Sequence, residues 1–376
     1  YKHNMKSMLW SSLFAALAIM TKGPVAVILI CGSLGLTWIL LRFQNYRKIA
    51  WVLPWGIITI ALSGIWFFYI TQQYGTTYVS EFITYQIRLF QTEDAKHGGT
   101  LLFHPIALFL GCFPASIYMW SAFQKSSQPI SEFPKILSKL MIACGVIVLV
   151  VFSLVQTKII HYSSMDYYPI TFFSALGICK MLDNASALKK WQLWILSLIG
   201  GLWAIALIAV PILGNKLETI KPYIHDKNFL EQLQTPIEWD YWAAGFGVII
   251  GIVFFYGIYV LTRANIQRGI ILLFASCILI IQVVSIYYLP RIEQLVQGSM
   301  VEFCKKLNGK DINTYTLYMK SYNQFFYSNR MPYHNIENGQ KHLHYLYGSE
   351  LDRDCYFILR TVDTMKLDTA FGPNMS

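Results

Sequence analysis

The chain has 376 residues, 55% of them hydrophobic and 13% charged, with a mean hydropathy of +0.44 and a formal net charge of +10. Soluble domains carry about a quarter of their residues as charge, so this composition leaves too little polar surface to cover a compact soluble fold. The basic excess lies in short links between apolar runs, which reads as membrane topology and not as a nucleic-acid surface.

A spanning helix needs ~20 mostly apolar residues, because every backbone amide must be satisfied within the hydrocarbon. In chain order the qualifying runs are 7–21, 24–42, 50–70, 101–122, 137–156, 164–182, 192–213, 241–261 and 269–289, giving nine predicted spans. The first is short, but Thr21-Lys22-Gly23-Pro24 supplies the turn that ends it: Pro24 suits the first turn of a helix and Gly23 frees the backbone before it. The chain opens at Tyr1 without an initiator methionine or signal peptide, and reads as a fragment lacking its true N-terminus.

Alternate links differ in basic content. One set holds Lys2, Lys6, Arg42, Arg47, Lys48, Lys125, Lys135, Lys139, Lys180, Lys189, Lys190, Arg263 and Arg268; the other is sparser over longer stretches. The richer set is expected on the cytoplasmic side. The Thr21–Pro24 turn, the loop 71–100, the link 157–163 and the C-terminal tail then share the opposite face. The tail, 290–376, reads as a small soluble α/β domain after a transmembrane bundle over 1–289. Thr314–Met319 alternates as a strand, Ser321–Tyr327 and Lys341–Tyr347 suit helices, and Cys355–Leu359 suits a buried strand. Five of the seven cysteines lie in apolar runs, leaving Cys304 and Cys355 as a candidate pair in an oxidising compartment.

Some charged groups are not explained by topology. Within 71–100, Phe82, Tyr85, Leu89 and Phe90 recur at helical spacing, which predicts an amphipathic interfacial helix over 79–90. Glu81 and Arg88 lie two turns apart on a similar face. That helix is either a solvated surface or part of a site for an anionic lipid-linked substrate, with Arg88 on phosphate and Glu81, Asp94 or His97 on sugar or metal. His97 and His104 flank the point where the chain re-enters the membrane and are candidate ligands for a divalent metal, the one cofactor the residues suggest. Lys158, His161 and Tyr162 lie where one helix leaves the membrane and the next enters. Alone, Lys158 and Lys22 each read as snorkelling side chains. With Arg88 on the same face, they point to a phosphate-binding cavity.

Four stretches resemble the C-type membrane glycosyltransferases, which include protein O-mannosyltransferases and the transferase that adds aminoarabinose to lipid A. They are Ala16–Ala26 around Thr21-Lys22-Gly23-Pro24, Arg88 through His97 to Gly111–Ser116, Thr157–Pro169, and Tyr315–Ser328. The resemblance implies a polytopic helical bundle in a bacterial inner membrane with an extracytoplasmic C-terminal α/β domain. It implies transfer of a sugar from a polyprenyl-phosphate donor to a glycolipid, glycan or protein acceptor, with inversion at the anomeric centre. It also implies that the catalytic base is an acidic residue in an external loop upstream of Tyr1, so no residue here takes that role. Where aminoarabinose-type members carry a Glu–His pair, this chain has Thr84-Tyr85, leaving Glu81 and His97 as substitutes. The rival readings are a lipid or glycan transporter or flippase, which would show internal repeats and helices broken mid-membrane, and a structural subunit that binds partners through the tail.

Overall fold

The computed structural model describes residues 5–43, 51–92, 99–124, 132–183, 188–225, 230, 237–263, 265–319, 321–330, 354–360 and 363. The helices are α1 (Met5–Lys22), α2 (Pro24–Leu40), α3 (Val52–Tyr74), α4 (Thr76–Gln91), α5 (Phe103–Gly111), α6 (Ala115–Tyr118), α7 (Glu132–Leu154), α8 (Tyr167–Asp183) and α9 (Lys190–Gly214). They continue with α10 (Leu217–Ile220), α11 (Ala244–Arg263), α12 (Ile266–Val283), α13 (Leu289–Lys306) and α14 (Asn323–Phe326), and the two strands are β1 (Asn313–Thr316) and β2 (Cys355–Ile358). The protein is a mostly helical, multi-pass membrane protein.

Each of the nine apolar runs is helical, but they differ in length. Among the described residues five helices are long and apolar enough to cross a bilayer: Val52–Tyr74, Lys135–Leu154, Lys190–Gly214, Tyr241–Arg263 and Ile266–Lys306. The helices α1, α2 and α8, with 18, 17 and 17 residues, fall outside that set. The run 101–122, read as one span, is instead two helices bent by 105° between Gly111 and Ala115. Pro114 sits at that break; it lacks an amide donor, and its ring crowds the preceding turn. A hydropathy window averages over such a break.

The chain divides into two compact units, one of Tyr1–Ile199 with Tyr256–Phe274, the other of Gly200–Phe255 with Ala275–Ser376. The boundary read from sequence at 289/290 falls inside a continuous helix that runs from Ile266 to Lys306 through a π turn at Val284–Tyr288.

In the first unit α1 packs on α2 and α3, α2 on α7, α3 on α4, and α8 on α7, α6 and the 3-10 turn Met119–Phe123. Lipid tails are as apolar as leucine, so such helices associate through small and polar residues. Ser12, Thr59 and Ser63 are accordingly buried, and Ser12 Oγ donates to Trp55 O at 3.3 Å. A Cβ on Gly177 of α8 would come within 2.4 Å of Tyr118 O, so only glycine permits that crossing. Large apolar side chains on α3, such as Leu53, Ile60 and Phe68, remain exposed, as a lipid-facing surface requires.

In the second unit the same device joins α9 and α11: a Cβ on Gly247 would meet Ala204 O at 2.7 Å, and Gly200 lies under the Phe254 ring. Its core gathers Leu207, Trp239, Ala243, Ile250, Ile280, Tyr287 and Tyr288. Tyr288 satisfies its hydroxyl there by donating to Leu207 O at 2.6 Å. In the tail, β1 and β2 pair in parallel, in register from Asn313↔Cys355 to Thr316↔Ile358, beside α13 and α14. Residues 341–347, expected as a helix, lie outside the described residues, as does the Cys355 side chain on which a pairing with the buried Cys304 depends.

Candidate functional site

The site begins at the turn between α1 and α2. Gly23 adopts φ 58° and ψ −137°, a region costly for any residue with a Cβ. A Cβ there would also lie 2.6 Å from Phe82 Cε1 on α4. Pro24 then opens α2 with its fixed φ. Glycine at this position therefore lets α4 close over the turn, which holds Lys22 beside it.

The far end of α4 is tied to the link that follows α7. Gln156 N–H donates to Phe90 O at 3.2 Å, and Thr157 Oγ donates to Thr92 O at 2.7 Å. Lys158 is buried, at 5% exposure, and its Nζ donates to the Phe152, Ser153 and Val155 carbonyls at 3.3, 2.6 and 2.5 Å. These are the orphan acceptors at the negative end of α7, so the ammonium acts as a C-terminal cap. Burial pulls its pKa below the usual lysine range. Gly99 roofs its stem: a Cβ there would stand 3.0 Å from Lys158 Cγ.

Beyond the link, the 3-10 turn Ile160–Asp166 is held by α5. The Ser163 hydroxyl donates to Ile160 O at 3.3 Å, which makes the His104 Nδ1–H the donor in its 3.0 Å bond to Ser163 Oγ. His104 is fully buried between Phe103 and Phe152. Its place in the helix makes it the clamp that fixes the turn bearing His161, Tyr162 and Ser164.

Together these elements enclose a cavity of about 510 Å³ with two kinds of wall. Thr21, Lys22, Tyr85, His161, Tyr162 and Ser164 supply its polar groups, and Val25, Leu29, Leu89, Phe90, Phe152 and Val155 supply apolar surface. Lys22 Nζ stands 5.9 Å from the centroid of the Tyr162 ring, within cation–π range. None of the described lining residues is a carboxylate. The arrangement suits an amphiphile with an anionic head and a long apolar tail.

Of the residues singled out from sequence, Lys22, His161 and Tyr162 line this cavity. Arg88 is exposed on the same helix as the lining Tyr85, with its guanidinium 5.1 Å from that ring; it is not itself a lining residue. Lys158, expected on phosphate, instead caps α7, because three unsatisfied carbonyls lie within reach of its short tether. Glu81 is exposed on α4 one helical turn before Tyr85 and is not among the described residues that line this cavity. Asp94 and His97 lie outside the described residues. His104, a candidate metal ligand, packs instead as the clamp on Ser163, and no group of three His, Cys, Asp or Glu fit to hold a metal ion occurs among the described residues. Sequence reasoning missed Gly99 and Asp166, and it missed the bond that ties His104 to Ser163. Asp166 is 2% exposed, neither carboxylate oxygen has a hydrogen-bond partner among the described residues, and its Oδ1 faces Gly145 of α7.

Among solved structures, the chain matches ArnT from Cupriavidus metallidurans bound to undecaprenyl phosphate. The TM-score is 0.63 at 14% identity, over 100% of this chain and 68% of that one. It has the ArnT fold. The same enzyme in the apo state matches with a TM-score of 0.60 at 14% identity, over 99% of this chain and 64% of ArnT. This chain thus spans about two thirds of the ArnT length. No protein-family model and no curated protein matches the sequence. The likeness to ArnT rests on backbone architecture, and it accords with the resemblance to the C-type membrane glycosyltransferases seen in the motifs.

Proposed function

We propose that the protein is a membrane glycosyltransferase that takes a sugar from a polyprenyl-phosphate donor and passes it to an acceptor hydroxyl or phosphate at the extracytoplasmic face of a bacterial inner membrane. The observation that carries this reading is the mixed lining of one cavity: Lys22 with the phenols of Tyr85 and Tyr162 and the imidazole of His161, together with apolar side chains such as Val25, Leu29, Leu89 and Phe152. An ArnT structure of the same fold holds undecaprenyl phosphate, a molecule of that chemistry.

In the proposed reaction the acceptor oxygen attacks the anomeric carbon, the bond from that carbon to the phosphate oxygen breaks, and polyprenyl phosphate departs with the electron pair. Charge builds on the departing phosphate in a poorly hydrated site, where a fixed cation stabilises it most. Lys22 supplies that cation, Tyr85, His161 and Tyr162 orient the head group, and Arg88 adds positive potential from the rim. Lys158 acts through position, anchoring the link that carries His161 and Tyr162. The base, which takes the acceptor's proton, is assigned to an acidic residue outside this cavity, as the family resemblance implies. The tail is proposed to be a small α/β domain on the same face as the site.

The test uses membranes containing the full-length protein and a radiolabelled polyprenyl-phosphate sugar. Donor consumption coupled to acceptor labelling, sharply reduced in Lys22→Gln and less so in Arg88→Ala at equal expression, is expected. Among the described residues the bent pair α5–α6 favours a transporter. Movement of labelled lipid between leaflets with no sugar released would replace the transferase by that reading.

A further inference from the structure

The hairpin between α11 and α12 plays no part in the site above. Its helices turn at close quarters: a Cβ on Gly269 would lie 2.5 Å from Leu261 Cα, and one on Gly257 would lie 3.1 Å from Leu272 Cβ. Asn265 fixes the turn from both sides. Its Oδ1 accepts the Arg268 amide at 2.9 Å, which caps α12, and its own amide donates to Val260 O at 3.1 Å. Arg263 and Arg268 thereby stand on either side of the corner, both exposed. Among the described residues neither forms an ion pair with a carboxylate.

Beside the corner lies a recess of about 490 Å³, lined by both arginines with Tyr256, Tyr259, Ile271 and Leu272. The two tyrosines stack, with ring centroids 6.4 Å apart and planes 24° from parallel. The hairpin joins two helices that meet the requirements for spanning, so its corner lies at head-group depth. Tyr256 lies seven residues before Arg263, about 10 Å deeper along the helix. Cationic groups thus mark the rim and apolar and aromatic groups the floor.

We infer that this recess binds an anionic phospholipid, with its phosphate bracketed by Arg263 and Arg268 and an acyl chain along Tyr256, Tyr259 and Ile271. Charge complementarity selects the head group, and the step from guanidinium at the rim to isoleucine and tyrosine below it selects a molecule with a tail. Exposed arginines at a helix turn also serve topology, which requires neither the recess nor the cap that fixes their spacing.

The experiment is native mass spectrometry of the full-length protein in detergent, with added phosphatidylglycerol, phosphatidylcholine or inorganic phosphate. Phosphatidylglycerol adducts are expected to survive collision energies that strip phosphatidylcholine. Arg263→Gln/Arg268→Gln should weaken phosphatidylglycerol binding roughly tenfold or more. Arg263→Lys/Arg268→Lys should retain most of it, and Lys135→Gln/Lys139→Gln, at another helix end, should leave it unchanged. Equal retention of both lipids would overturn the inference. So would phosphatidylglycerol binding that survives the double glutamine variant, or displacement of the lipid by millimolar inorganic phosphate.

Discussion

Replacing Gly23 with alanine separates two costs that the structure superimposes at one residue. The first is conformational: holding a Cβ-bearing residue near φ 58°, ψ −137° costs about 1–3 kcal/mol. The second is steric: the new Cβ would stand 2.6 and 2.8 Å from two atoms of the Phe82 ring, which costs about 1–2 kcal/mol because that ring is only half-buried and can swing. The sum, about 2–5 kcal/mol, corresponds to a fall in apparent melting temperature of roughly 2–6 °C for a chain of this size. The assay is thermal unfolding of the purified protein in detergent, measured for Gly23→Ala in the native background and in Phe82→Ala. Removing the ring abolishes the clash and leaves the backbone cost, so Gly23→Ala should destabilise the second background by roughly a third to a half less. A melting temperature within about 1 °C of the parent, or an identical loss in both backgrounds, would refute the packing of α4 on this turn. Transfer should also fall in the single variant, because Lys22 moves with the turn.

The remaining predictions concern charge. Lys22→Gln should lower kcat/KM for the lipid-linked donor roughly ten- to a hundredfold, the value of one charge-assisted hydrogen bond of about 1.5–3 kcal/mol; melting temperature should hold, since Lys22 is exposed. Lys158→Met should do the reverse, because three carbonyls of α7 lose their donor; the loss is about 1.5–3 kcal/mol of stability. A raised donor KM at unchanged melting temperature would return Lys158 to the phosphate. Asp166→Asn should leave thermal stability equal or higher, because a buried carboxylate with no hydrogen-bond partner among the described residues contributes desolvation cost and no bond. A drop of several degrees in that variant would reveal a partner for the carboxylate.

Much of the site was legible before the structure, and the reasons are local. The α1–α2 turn is written in Gly23-Pro24, since dihedral preference belongs to those two residues alone. The amphipathic α4 follows from the spacing of Phe82, Tyr85 and Leu89, and it brings Tyr85 and Leu89 to the cavity as that spacing suggests. His161 and Tyr162 were likewise marked by their place at a helix junction. Lys158 was misread because sequence shows a charge but not its nearest acceptor. His104 was weighed as a metal ligand because imidazole chemistry is visible in sequence, whereas Ser163, 59 residues away, is not visible as its neighbour.

The sequence by itself determined that the chain lives in a membrane, roughly where its helices run, and which short segments turn. Those properties depend on solvation and on dihedral preferences, each summed over a few neighbouring residues. Only the tertiary structure decided that the run 101–122 bends by 105°, that α12 continues unbroken into α13, and that Lys22 and not Lys158 faces the cavity. Those outcomes depend on which groups meet across tens of residues, where a single 2.5 Å contact with a carbonyl commits a charge to one partner and removes it from another.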